Sequence, residues 1–144
     1  MVAARRRRRL GLAMVTIAVV GVSGCSEIEE TETPYPVEVT DIPGSDVKRV
    51  TLETEAARRI GLETAVVGQE AGRKVIPIAA VIYDPEGEAF AYTSPKPLVF
   101  VREKVRVDDV EDTRAWLSEG PRAGTQVVTT GAAEVYGSEF EVDH

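Results

Sequence analysis

The sequence predicts an all-β protein, a small barrel or sandwich of short, mostly antiparallel strands with one or two short helices. Three observations carry this. From residue 47 onward the apolar residues come in short runs rich in Val, Ile and Thr; Gly and Pro separate these runs at regular spacing; and only two stretches carry helix signals.

Residues 47 to 52 set Val47, Arg49 and Thr51 against Lys48, Val50 and Leu52, the alternation of a half-buried strand. A short helix follows. Thr54 is placed to cap it, Glu55 suits the positive end of its dipole, Arg58 and Arg59 the negative end, and Gly61 closes it in the left-handed conformation. Residues 62 to 67 read as a second strand and the polar stretch 68 to 72 as a turn. In residues 75 to 83, Pro77 within a β-branched run marks a strand start, an edge or a bulge. Asp84-Pro85-Glu86-Gly87 has Pro and Gly where a hairpin turn wants them, joining that strand to residues 88 to 93. Residues 98 to 107 are expected as one amphipathic strand, with Val99, Val101, Val105 and Val107 on one face and Arg102, Lys104 and Arg106 on the other. A turn at Glu111-Asp112-Thr113 returns the chain as residues 114 to 117. Gly120, Pro121 and Gly124 then precede a last strand at residues 125 to 130, and residues 131 to 136 are expected to make one helical turn.

Ahead of this body the chain reads as an address. Residues 5 to 25, RRRRRLGLAMVTIAVVGVSGC, hold a basic cluster, an uncharged run and small residues leading into Cys25, the pattern of a secretory signal. The uncharged run, residues 10 to 24, would extend about 22 Å as a helix, short of the ~30 Å hydrocarbon core. Val22-Ser23-Gly24-Cys25 resembles the lipobox of bacterial lipoproteins, in which the thiol is acylated and Cys25 becomes the first mature residue. An uncleaved signal anchor and a secreted protein with a free Cys are the alternatives. The expected organisation is a lipoprotein signal peptide at residues 1 to 24, an acidic, Pro-containing disordered tether at 25 to 46, and a folded β-domain at 47 to 144. Glu27, Glu29, Glu30 and Glu32 with Pro34, Pro36 and Pro43 give the tether its character.

Charge and residue census exclude several function classes. The whole chain has 17 Lys+Arg against 24 Asp+Glu, net −7; the five arginines of residues 5 to 9 lie in the signal and no acid precedes Glu27, so the remainder stands at 12 bases to 24 acids, or −12. A body so acidic is a poor partner for nucleic acid. Outside residues 1 to 24 there is no Met, one His at the last position and one Cys, so no cofactor and no transition-metal site is expected. Nucleophilic catalysis lacks a well-placed imidazole base. Asp84, Glu86 and Glu88 are too few for a six-to-eight-oxygen Ca²⁺ site and read as a solvated turn, as do the acids of residues 108 to 112. Phe100 and Trp116 fit core or interface, with core preferred in so small a domain.

The order of elements is recognisable. Val50-Thr51-Leu52 followed by residues 55 to 67, with Gly61-Leu62-Glu63-Thr64-Ala65-Val66-Val67 at the centre, resembles the opening segment of bacterial periplasmic adaptor subunits, the HlyD-type membrane fusion proteins of resistance-nodulation-division efflux transporters. Val75-Ile76-Pro77-Ile78-Ala79-Ala80-Val81-Ile82 resembles the stretch that opens their membrane-proximal domain, and residues 87 to 92 the hairpin after it. Leu117-Ser118-Glu119-Gly120-Pro121-Arg122-Ala123-Gly124-Thr125-Gln126-Val127-Val128-Thr129-Thr130-Gly131 resembles that domain's close. Only residues 68 to 74 separate the first two pieces, so the family's β-barrel, lipoyl-like domain and α-helical hairpin have no counterpart, and neither do the Met-rich copper or silver ligands of some members. The resemblance implies a membrane-proximal domain resting on a transporter's outer face.

The function expected is therefore non-enzymatic: a lipid-anchored, adaptor-like accessory subunit of a membrane export or efflux transporter. It would sit at the outer face of the cytoplasmic membrane, or in the periplasm where an outer membrane exists. Cys25 is the lipidation site, and Arg102, Lys104 and Arg106 are the candidate partner-docking face. A small-ligand-binding envelope lipoprotein is the alternative, and a carboxylate-dependent hydrolase a third.

Overall fold

The computed structural model describes residues 36 to 141, so the signal, Cys25 and the first part of the expected tether lie outside the described residues. Within that span the strands form two antiparallel sheets with two short helices, the all-β architecture expected.

The first strand lies where a tether was expected. β1 (Val37–Asp41) pairs along its whole length with β2 (Lys48–Leu52), Val37 opposite Leu52 and Asp41 opposite Lys48. Its alternation of Val37 and Val39 with Glu38 and Thr40 is a strand pattern that the flanking prolines and acids obscure, and both valines pack against the core. The folded domain thus includes Val37–Asp41, and a truncation at residue 46 removes an integral strand.

α1 (Thr54–Arg59) begins one residue early relative to the expected cap: Glu53 holds the cap position without a side-chain bond, and Thr54 is the first helical residue. Gly61 ends it with φ +63°, and the Leu62 N–H returns to the Ala57 carbonyl. β3 (Glu63–Val66) and β4 (Gly68–Glu70) belong to different sheets and meet at Val67, which is buried between them. The expected turn at 68 to 72 is instead β4 plus a two-residue turn, Ala71 at φ +47° and Gly72 at +78°, leading into β5 (Arg73–Pro77). Pro77 closes that strand, a 3₁₀ turn (Ile78–Ala80) follows, and β6 (Ile82–Tyr83) and β7 (Ala89–Lys96) form the expected hairpin about Gly87.

The single strand expected at 98 to 107 is two. β8 (Val99–Lys104) pairs with β7, whereas β9 (Arg106–Glu111) pairs with β10 (Arg114–Glu119) in the other sheet. Val105 sits at the joint, 3% exposed, its side chain between the sheets and its N–H on the Ala89 carbonyl. A strand that must bury Val105 between two sheets bends there and changes sheet. β11 (Gln126–Thr130) and α2 (Ala132–Glu141) complete the chain, α2 running ten residues instead of one turn.

The larger sheet runs β1-β2-β8-β7-β11-β3, with β6 also on β7, and the smaller β4-β5-β10-β9. β7 and β11 are buried on both faces: Ala91 and Val127 face the smaller sheet and join Ile76, Ala115 and Leu117, while Tyr92 and Val128 face the helices and join Val50, Phe100, Ala57 and Val135.

Candidate functional site

The basic face expected at Arg102, Lys104 and Arg106 does not exist as one surface, because the break at Val105 sends Arg106 to the other sheet. Arg106 pairs with Glu119 and Lys104 with Glu88, both in solvent. Arg102 turns inward, its side chain only 17% exposed, so its charge reversal is not the neutral surface change that an amphipathic strand implied. Asp84 and Glu88 stabilise their own hairpin: an Asp84 carboxylate oxygen accepts the Glu88 N–H at 2.7 Å. Among the described residues no group of three His, Cys, Asp or Glu side chains is placed to hold a metal.

Arg102 belongs to a buried polar cluster that strand reasoning missed. Glu139 on α2, 2% exposed, accepts a hydrogen bond from the Tyr92 hydroxyl, faces the Arg102 guanidinium at 3.3 Å, and lies 3.5 Å from the Lys48 N–H. The Arg102 guanidinium also lies over the Phe90 and Phe140 rings, 4.8 and 5.3 Å from their centroids, and Tyr136 stacks on Phe90. Burial, and next the hydrogen bond to Glu139, hold the Tyr92 phenol protonated well above the usual tyrosine range. The cluster fastens α2 to the sheet through Glu139, while the Arg102 Nε is buried without a hydrogen-bond partner. Its sequence signal is the stripe Ala132, Val135, Tyr136, Glu139 and Phe140, in which Glu139 takes a core position of a helix two turns longer than expected.

The two candidate aromatics separate. Phe100 is fully buried under the helices, but Trp116 is in neither core cluster. Its register pairs it with Val75 on one side and Asp109 on the other, and Val75 in turn with Gly68, a row across the outer face of the smaller sheet. A Cβ at Gly68 would lie 2.9 Å from a Val75 methyl, so a side chain there would displace Val75 from that row. Arg73 and Arg114 each stand two residues from a member of the row and hence on the same face. Both place their guanidinium groups over the Trp116 ring, at 5.0 and 5.3 Å from its centroid. Glu70 and Glu111 hold Arg114 at 3.1 and 3.3 Å, while Arg73 is exposed and has no carboxylate among the described residues. The result is a flat aromatic and guanidinium platform with an acidic margin. Trp and Arg bury much area or make several directed bonds at modest entropic cost, which is why they dominate binding hot spots.

Compared with family models, with curated proteins and with solved structures, the chain finds no match.

Proposed function

We propose that the protein is a non-enzymatic envelope lipoprotein whose small β-domain docks, as an adaptor-like accessory subunit, on a membrane export or efflux transporter. The observation that carries this is the Trp116 platform, a pre-organised hot-spot composition on an open sheet face. It replaces the arginine face of β8 as the docking surface. The position of β1 adds support: Val37 lies twelve positions beyond Cys25, and a chain of that length spans at most about 40 Å even fully extended. With Cys25 acylated, the domain stays within reach of a transporter's membrane-proximal surface.

The test is co-purification from detergent-solubilised membranes with the full-length chain as bait. An integral membrane transporter should be recovered with the wild type and lost with Trp116→Ala, whose thermal midpoint stays close to the parent. Recovery of no membrane protein with the wild type would refute the reading.

A further inference from the structure

β7 and β11 are neighbours through one register pair, Val127 with Thr93. The next pair, Gln126 with Ser94, does not form. Beside that pair, between Thr93 and Lys96, the ladder to β8 carries a bulge, and Pro95, lacking an N–H, falls within it. Leu98, at φ +63°, then turns the hairpin back. The sheet splits at this point and leaves a cleft of about 410 Å³ between the β7–β8 hairpin and the β3–β11 pair. Leu62, Leu98, Pro95 and Pro97 give it apolar lining above the fully buried Phe100, and Thr64, Ser94, Gln126 and Lys96 bring polar groups to it.

The charge of this lining decides what fits. In a chain with 24 acids to 17 bases, no acid lines the cleft, and Lys96 is its one charged group. Lys96 is exposed and forms no ion pair among the described residues. A partly apolar concavity with a single cation in its lining complements an amphiphile with an anionic head, and the volume, near the lower end of the ~300–1,000 Å³ usual for small-molecule sites, suits one chain and not a two-chain lipid. We propose that the cleft binds a medium-length acyl carboxylate, its chain against Leu62, Leu98, Pro95 and Pro97 and its head at the Lys96 ammonium and the Gln126 amide. The site lies on the larger sheet and is independent of the Trp116 face and of any transporter.

Every described strand pair and both core clusters lie within residues 36 to 141, so a chain starting at residue 25, with Cys25→Ser to exclude an acyl group of its own, keeps the folded unit whole. Decanoate, decanol and decylamine, each below its micellar concentration, are titrated against this ¹⁵N-labelled chain. Decanoate should give saturable shifts at the amides of Leu62, Thr64, Lys96, Leu98 and Gln126. It should bind about threefold more tightly than decylamine, the scale of one exposed ion pair. Lys96→Glu, at an exposed position, should reverse the order of the two, and Thr64→Trp, which fills the cleft from an exposed edge strand, should abolish both while the other amides keep their dispersion. Decanoate shifts absent from these five amides, equal affinities for the three probes, or binding undiminished in both variants would overturn the proposal.

Discussion

The two cores of this small domain are built on different principles. Between the sheets, Val67, Ile76, Ala80, Ala91, Val105, Ala115, Leu117 and Val127 make an all-aliphatic layer of small side chains. Under the helices, Val50, Leu52, Phe100 and Val128 share their layer with Tyr92, which reaches the buried Glu139 and Arg102. The difference follows from what each layer has to hold. Two sheets joined covalently at Val67 and Val105 are already in register, so non-directional apolar burial is enough to close them. α2 is a weak helix, with Gly137 and Ser138 in its middle and no base in its last turn. Directed bonds fix its position where propensity does not. A buried ion pair adds little net stability over a well-packed apolar alternative, but removing one partner is costly.

The largest test of this contrast breaks the polar core alone. Glu139→Ala leaves Arg102 and the Tyr92 hydroxyl without their acceptor and should cost about 3 to 5 kcal/mol in denaturant unfolding. Amide exchange should rise first in α2, since the sheet joints do not depend on Glu139. Arg102→Glu should be comparably damaging, whereas Lys104→Glu, in solvent, should change stability by less than about 1 kcal/mol. Equal small effects of the two reversals would mean that Arg102 is a surface residue after all.

Next in size is the aliphatic core. Leu117→Ala, at a side chain 2% exposed, should cost about 3 kcal/mol by cavity formation, with exchange rising across both sheets and no dependence on pH. Selective loss of α2 protection in this variant would erase the distinction between the two layers.

Tyr92→Phe is milder, about 1 to 2 kcal/mol, because Glu139 keeps Arg102. Its effect also depends on pH. The folded-state phenol is raised above its ordinary value of 10, so its contribution is fully present below about pH 10 and is lost as pH rises beyond it, when the unfolded chain ionises first. Wild type should therefore lose stability above pH 10 more steeply than the variant, while Leu117→Ala keeps the wild-type slope. Parallel curves for wild type and Tyr92→Phe would contradict the placement of this hydroxyl. The smallest effect is expected outside both cores, where Trp116→Ala should cost about 1 kcal/mol or less, measured by thermal melting.

Strands and turns were readable where a local cause suffices. The hairpin at Asp84-Pro85-Glu86-Gly87 and the left-handed close of α1 at Gly61 need only turn chemistry, which neighbouring residues carry in full. Elements failed to be readable where two local signals conflicted. Pro and Glu around Val37 and Val39 masked β1, and Gly137 and Ser138 masked the length of α2, because the gain that overrides those propensities comes from distant apolar partners. The docking candidates show the same division. Arg102, Lys104 and Arg106 share a face only if the strand is straight, and Val105 breaks it for reasons that lie in the opposite sheet.

From the sequence alone follow the all-β class, the positions of most turns, and the strongly acidic composition of everything beyond the N-terminal 24 residues, since periodicity, backbone preference and charge are properties of neighbouring residues. Which side chains meet was decided only in three dimensions. Glu139 finds Tyr92 and Lys48 at separations of 47 and 91 residues, Trp116 collects Arg73 and Arg114 from two strands, and Lys96 shares a cleft with Leu62 and Gln126. Such meetings depend on sheet order and register, which are set by the summed burial of both cores and not by any local run of residues.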